Sequence, residues 1–430
     1  MEPAARMRKP GPGNDSTYLE EISRNWRLVL AASIGQAAGY SLVTYISNIF
    51  TPYLLSAFGW SRSAFALVGM AFFFGILIQP VTGRLGDLFG VRRVAIVGIV
   101  GGPLVFIGFS LMTGALWQFF VLTLLHLVLT SGATGPVIYS RLIAKNLQRA
   151  RGFALAVAAT TPAVVAAICV PFLSRFIASH GWRLGYVALA LSTAIGGLVA
   201  LFLIPPSTDV PERLPLAQRV PIPYGSIVRS RSFQLIIGAV FLGMLSFTLQ
   251  TTQLKVVLLD RGIDSAKGSL IISLFVTSTI VGRLLSGLAL DRLPAYAVAA
   301  VFLGLPGVGL SILAIGATPP LLIAIAVALL GISLGAEGDV WAYLIAKYFR
   351  PEIYGTVFGL VLCGMALSAG GGALLLSLML RLIGGFTPFL ILCAVAVFSG
   401  SALLMLLGRE TEGGNEKLIA RDPIHSPPRV

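Results

Sequence analysis

The sequence predicts an all-α membrane protein with twelve transmembrane helices in two pseudo-symmetric six-helix bundles. Three observations carry that prediction: a composition too apolar for water, about twelve apolar stretches of spanning length, and a repeat relating the first six stretches to the last six. Of 430 residues, 56% are hydrophobic and 11% charged, with a mean hydropathy of +0.90. A soluble domain carries about 25% charged residues, so this chain is built for a lipid bilayer. The net charge of +14 does not point to nucleic acid, because the bases fall between apolar segments rather than on an aromatic-rich soluble face. Cys169, Cys363 and Cys393 lie in apolar runs without CxxC spacing, so neither a disulfide nor a metal site is expected. No nucleophile–base pair and no nucleotide-binding G-x-x-x-x-G-K-[ST] pattern is present. The expectation is a protein with no catalytic residues, no cofactor and no enzyme activity.

In chain order, residues 1–26 form a polar tail with no apolar core, so no cleaved signal peptide is expected. Apolar stretches follow at 27–56, 64–83, 94–114, 117–141, 153–178 and 184–204, making a first bundle over 27–204. The polar stretch 205–232 reads as a central loop. Six more stretches follow at 233–256, 268–290, 295–315, 319–346, 353–381 and 385–408, making a second bundle over 233–408, with a tail at 409–430. Prolines 80, 136, 162 and 306 fall inside stretches, which membrane helices tolerate. His126 also lies inside a stretch and is expected to be a packed, neutral imidazole. With both termini inside, 23 bases lie on the cytoplasmic side, seven on the other (Arg62, Arg175, Arg183, Lys255, Arg261, Lys267 and Arg381), and Arg283 in the membrane. The positive-inside rule therefore puts both termini in the cytoplasm. The expected site is the plasma membrane, of the bacterial inner-membrane kind.

The halves repeat at an interval of roughly 203 residues. Gly83–Asp87 corresponds to Gly287–Asp291, Leu142-Ile-Ala-Lys145 to Leu344-Ile-Ala-Lys347, and the helix opening at Gly152 to that at Gly355. Three matches in register indicate homologous halves related by an axis along the membrane normal. Between the second and third stretches stands Gly83-Arg-Leu-Gly-Asp-Leu-Phe-Gly-Val-Arg-Arg93. It resembles the loop motif G-x-L-x-D-x-x-G-x-R-R of the major facilitator superfamily, and the resemblance extends over nearly the whole chain. In it Gly83 and Gly90 let the turn pack closely, and Asp87 sits among bases including Arg92 and Arg93. The resemblance implies a cytoplasmic latch between the halves, with Arg141 as partner of Asp87 and with Asp291 and Lys347 as the weaker equivalent.

Arg283 lies well inside the apolar run Ile271–Leu293. A charge there costs about 2.5–3.5 kcal/mol or more, so it faces a wet cavity or a partner and marks a ligand or ion pathway. The bland alternatives are snorkelling and a structural lock between helices. Phe58-Gly-Trp-Ser-Arg-Ser63, Arg151-Gly-Phe-Ala-Leu155, Gly181-Trp-Arg183 and Arg283-Leu-Leu-Ser-Gly287 together resemble the monocarboxylate transporter and oxalate–formate antiporter branch. That narrower resemblance implies that Arg283 binds a substrate carboxylate, which suits a guanidinium's bidentate geometry. The chain departs from the branch at Tyr45, where the mammalian carriers have a lysine, and at Thr279, where they have an aspartate. Residues 353–380 hold no Lys or Arg, unlike the corresponding stretch of the oxalate carrier. One cationic anchor favours a monocarboxylate, or an amphiphile with one acidic group, over a dicarboxylate.

Gly335-Ala-Glu337-Gly-Asp339-Val-Trp341 in the tenth stretch supplies counter-charge at a depth matching Arg283 within a turn. Glu337 or Asp339 is expected to neutralise Arg283 and titrate with substrate. The two point about 200° apart, so one of them is expected to be structural, with Glu337 favoured as the proton coupler. Gln79, which corresponds to Arg283 in the first half, together with Tyr45 and Asn48, offers neutral hydrogen-bonding groups across the cavity. Trp341 and Tyr343 are placed to shape the substrate's apolar end. Interhelical packing is the competing role for each. The expected function is a monomeric secondary transporter moving an organic monocarboxylate with a proton by alternating access. The alternative is a proton-coupled exporter of drugs or apolar metabolites, a group marked by a Gly-Pro-Gly-rich fifth span that residues 153–178 lack. A transport-dead sensor is disfavoured, because the polar ends are too short to fold alone.

Overall fold

The computed structural model describes residues 18–75, 91–135, 138–139, 142–143, 146–147, 150–204, 224–290, 292–316, 319–349 and 351–412. Among these residues there is no strand. Ten helices are long and apolar enough to cross a membrane, and two shorter apolar ones, Arg62–Phe74 and Leu116–Ser131, accompany them. The fold is the expected all-α arrangement of two six-helix bundles.

The first span is broken rather than continuous. Helix α1 (Tyr18–Ala37) and α2 (Tyr40–Phe58) meet at Gly39, whose extended backbone interrupts the helix. The freed Tyr40 N–H donates to Thr134 Oγ1 at 3.1 Å, so a neighbouring span caps the break. A Cβ at Gly39 would run into Thr134, and only glycine lets the two spans approach so closely. Span two opens as α3 (Arg62–Ala66) and continues as a 3₁₀ segment over Leu67–Phe74. The first half then runs through α4 (Val91–Ser110), α5 (Leu116–His126), α6 (Arg151–His180) and α7 (Trp182–Leu203). After a short α8 (Tyr224–Arg229), span seven comprises α9 (Arg231–Met244), a π turn over Leu249–Gln253 and α10 (Leu254–Asp260). Helices α11 (Ser265–Leu290), α12 (Ala295–Ile315), α13 (Pro320–Tyr348), α14 (Pro351–Ile383) and α15 (Thr387–Glu412) complete the second half.

Large side chains such as Leu104, Leu111 and Phe202 are exposed on the outside, as expected where hydrocarbon replaces water. Inside, α4 packs on α7 and α1 on α6 in the first half, and α11 on α13 and α12 on α15 in the second. The halves meet through α2 with span seven, α6 with α11, and span two with α14. The described polar ties between them lie toward the face where α2 ends and α11 begins. Asn48 Nδ2 donates to the Gln250 carbonyl at 2.8 Å, and Ser273 Oγ to the Ala167 carbonyl at 2.9 Å. At the rim the Arg62 guanidinium forks onto Asp260, Nη2 to Oδ1 at 2.6 Å. The bundles are thus shut at that face.

Closure there needs small residues. A Cβ on Gly69 would lie 2.7 Å from the Ala373 methyl and would also strike Thr248. Gly69→Ala is therefore expected to push span two off the second half and cost about 1–3 kcal/mol by overpacking. A thermal-shift midpoint equal to wild type would show that this contact does not hold the face shut.

Candidate functional site

The site is assembled by a backbone-to-backbone contact between α11 and α13. Gly331, Gly335 and Asp339 recur every four residues on α13 and form one stripe along it. Phe275, Thr279 and Arg283 do the same on α11. A Cβ at Gly331 would collide with the Phe275 carbonyl, and one at Gly335 with the Thr279 carbonyl. From the other side, a Cβ at Gly282 would collide with the Ile332 carbonyl. Lipid tails are as apolar as leucine, so membrane helices associate through such close packing of small residues. The two stripes run in register, and the next rung brings Arg283 to Asp339.

Arg283 Nε lies 3.2 Å from Asp339 Oδ2, with the side chains 22% and 47% exposed. Nε makes no aligned hydrogen bond there, so the contact is charge pairing. At this exposure such a pair contributes on the order of 1 kcal/mol or less. Among the described residues the terminal amino groups of Arg283 make no hydrogen bond. From the first half, Tyr45 presents its hydroxyl to Thr279, within electrostatic reach of Arg283 and Glu337. Arg283 therefore faces the interface between the bundles.

Glu337 occupies the other side of α13. It is 9% exposed, and its Oε1 has no hydrogen-bond partner. It faces a cavity of about 30 Å³ inside the second bundle, shared with Gln250, Ser333 and Trp341. The expectation that either carboxylate could neutralise Arg283 resolves to Asp339, because the roughly 200° between the two side chains sends Glu337 inward. Trp341, one turn after Glu337, is buried with Nε1 unpaired and faces the same cavity. The structure thus brings Trp341 to Glu337, not to Arg283. Tyr343 is exposed.

Asn48 is fully buried; its Nδ2 donates to the Gln250 carbonyl at 2.8 Å, while its Oδ1 has no hydrogen-bond partner. The Nδ2 bond is an interhelical contact, the competing role. Gln79, Gly83, Asp87, Gly90, Arg141 and Asp291 lie outside the described residues. Of the remaining latch residues, Arg92 is half-buried, while Arg93 and Lys347 are exposed. The motifs Phe58–Ser63 and Gly181–Arg183 converge away from Arg283. Phe58 sits 4.8 Å from Trp60 and 5.2 Å from Trp182, ring to ring, and Arg183 stacks on Trp182 at 4.4 Å. Trp60 Nε1 and Arg183 Nη2 donate to the Gly114 and Met112 carbonyls. They form an aromatic cap on the first half, from which Arg62 reaches Asp260.

Lys255 was expected among the bases of the face opposite the termini; the structure corrects this. It is fully buried on α10 at the junction of the halves. Nζ donates to Ser269 Oγ at 2.9 Å, lies 3.5 Å from Ser174 Oγ, and stands 5.6 Å from the centre of the Tyr53 ring. Among the described residues it meets no carboxylate. A cation–π contact contributes about 0.5–2 kcal/mol, whereas burying an unpaired ammonium costs several kcal/mol. The sequence signal was present: a lysine five residues before the span-ending Asp260, inside Leu254–Leu259. Lys255 is the penultimate residue of the apolar stretch 233–256, and a base so close to a span's end reads as belonging to the adjoining face.

A separate cavity of about 120 Å³ lies on another face of α2, mostly within the first half. Its walls are aromatic, including Phe50, Phe65, Phe106, Phe109, Phe119 and Tyr186, with buried His126 at its edge.

The pattern of the Major Facilitator Superfamily matches residues 32–336 and, again, 236–429. No curated protein matches the chain. Among solved structures, this chain is similar to the crystal structure of a bacterial homolog to the human lysosomal transporter Spinster, in an inward-facing and occupied conformation. That match covers 90% of this chain and 97% of that chain, at 13% identity and a TM-score of 0.65.

Asn48→Ala tests the interhelical role. Losing one buried hydrogen bond between membrane helices is expected to lower stability by about 0.6–2 kcal/mol while leaving ligand affinity unchanged. A thermal-shift midpoint and a ligand titration check it; weakened affinity at unchanged stability would return Asn48 to the site.

Proposed function

The chain belongs to the major facilitator superfamily and is a multi-pass membrane transporter, not an enzyme; from that premise we propose that it carries an organic monocarboxylate together with a proton by alternating access. The Arg283–Asp339 pair carries this reading. A substrate carboxylate engaging both terminal amino groups of Arg283 makes two charge-assisted hydrogen bonds, each contributing about 1.5–3 kcal/mol. That exceeds what the half-exposed ion pair contributes. Asp339 then loses its counter-charge and takes up a proton. The empty site holds one cation and one anion. The loaded site holds the same cation, the substrate anion and a neutral acid. Both states carry the same net charge through the closed conformation, which is the physical basis for one-to-one symport.

Tyr45, and Gln79 from the same half, supply neutral hydrogen bonds to the bound acid. Glu337 stays neutral inside the second bundle, packed with Trp341, because an ionised carboxylate in that small cavity would lack a cation. The bundles 27–204 and 233–408 rock about the site as a monomer. The Gly83–Arg93 loop, Arg141, Asp291 and Lys347 latch the cytoplasmic face. The termini lie in the cytoplasm of a cell whose plasma membrane holds the protein. One observation favours a second reading: the aromatic cavity of about 120 Å³ suits an apolar compound and a proton-coupled exporter.

The test is uptake of labelled monocarboxylates into proteoliposomes, with and without an inward acid gradient. Arg283→Gln is expected to weaken substrate binding by about 100-fold or more. Asp339→Asn is expected to lose gradient-driven accumulation while keeping substrate exchange within about threefold of wild type. Glu337→Gln is expected to keep both. If Glu337→Gln uncouples transport and Asp339→Asn does not, the two roles exchange. If Arg283→Gln transports normally, the carboxylate reading falls and the exporter reading takes its place.

A further inference from the structure

Lys255 is the one fully buried basic side chain among the described residues, and the transport reading above gives it no role. Its depth rules out a share in the Arg283 site. Ser269, its nearest partner, precedes Arg283 by fourteen residues on α11, which is about 21 Å along a helix axis. A small carboxylate cannot span both cations. What Lys255 does touch is the closed face: Ser269 on α11 and α10 itself belong to the second half, while Ser174 on α6 and Tyr53 on α2 belong to the first. It sits on the surface along which the halves must part.

The donors and acceptors around Nζ decide its protonation. Ser174 Oγ and Ser269 Oγ are 2.6 Å apart, and the Ser269 hydroxyl donates onward to the Ser265 carbonyl at 2.9 Å. Ser269 Oγ therefore accepts from Ser174 and from Lys255. An ammonium has three N–H donors and no acceptor. It would find one acceptor at 2.9 Å, one at the limit of 3.5 Å and, for its third N–H, only the face of the Tyr53 ring at 5.6 Å. A free amine has only two N–H groups, for which Ser269 Oγ at 2.9 Å and, more weakly, Ser174 Oγ at 3.5 Å are the acceptors, and it carries no charge to bury. No neighbouring charge alters this balance. On α10, Asp260 is taken by Arg62, and Arg261 reaches Thr387. At the start of α11, Asp264 pairs with Lys267, and both are exposed. On α6, Arg175, next to Ser174, is exposed. From α2 the only titratable group near the amine is the Tyr53 phenol.

We propose that Lys255 is a proton-binding group built into this gate: a free amine while the bundles are shut, an ammonium once they part and water reaches it. The proton comes from the aqueous phase admitted on that face and returns to it before the face closes. The open state therefore binds one more proton than the closed state, so acid favours opening. The open-to-closed ratio changes by up to about tenfold per pH unit. This window ends, on the alkaline side, near the ordinary lysine value of about 10.4. The proposal is independent of which substrate Arg283 binds.

The experiment places spin labels at Ala57→Cys and Ala266→Cys, exposed positions on opposite halves of the closed face, with Cys169, Cys363 and Cys393 replaced by serine. Electron–electron distances are read from pH 6 to 11. The expected result is a long-distance population that grows as pH falls. Lys255→Met, apolar and close in length, should hold the short distance at every pH with a thermal midpoint no lower than wild type. Lys255→Arg, which cannot shed its proton, should favour the long distance throughout. Ser269→Ala removes the acceptor and should raise the open population while keeping its pH dependence, which tests the gate even if a Lys255 variant fails to fold. A wild-type distribution that ignores pH, or a Lys255→Met protein that keeps the full pH dependence, would overturn the proposal.

Discussion

The glycine-mediated contact between α11 and α13 is the constraint on which the candidate site depends. Within a bilayer there is no hydrophobic force to press two helices together, so association relies on close packing of atoms. Gly331, Gly335 and Gly282 remove the side chains that would hold the backbones apart. The approach is close enough to lock register as well as distance. Once Phe275 faces Gly331 and Thr279 faces Gly335, Arg283 has little choice but to meet Asp339. A larger residue at Gly335 would move the guanidinium and the carboxylate relative to each other before changing either one chemically.

That register also separates two carboxylates that stand two residues apart. Asp339 continues the packed stripe and reaches the bundle interface, where its half-exposed pairing with Arg283 is weak enough to exchange. Glu337 turns into the interior of the second bundle beside Trp341. A helix rotates neighbouring residues by about 100°, so one short acidic segment serves two environments. The ion pair faces the interface between the bundles, while the buried acid faces the packing of the second bundle.

The opposite face of the molecule is organised by other means. The halves close there through hydroxyl and amide contacts, the Arg62–Asp260 fork and small residues such as Gly69. These interactions are individually modest and partly exposed, which suits a surface that has to open. The aromatic cap around Phe58, Trp60 and Trp182 is different: it lies within the first half and braces the turn that carries Arg62. Phe58–Ser63 and Gly181–Arg183, two of the stretches that resemble the monocarboxylate-type branch, therefore support this closed face, some distance from Arg283.

Composition, the spacing of apolar stretches and the half-to-half repeat were enough to determine the all-α membrane class and its two six-helix bundles. They sufficed because hydrocarbon imposes a length and an internally bonded backbone on every crossing segment. Arg283 was equally legible, since a guanidinium inside such a segment is costly wherever it points. The partners of the polar groups were not. Whether Asp339 or Glu337 meets Arg283 depends on the rotation of α13 against α11, which the Gly331 and Gly335 spacing foreshadows but does not orient. Asn48 could have faced either a ligand or a helix until the Gln250 carbonyl stood opposite it. Lys255, the penultimate residue of the stretch 233–256, reads as a base of the adjoining face because hydropathy blurs at a span's end; only the convergence of α2, α6, α10 and α11 buries it. Sequence by itself determined the all-α membrane class and its two-bundle architecture. Tertiary structure decided which residues face one another, because pairing across helices is set by rotation and register, and these arise from contacts between residues far apart in the chain.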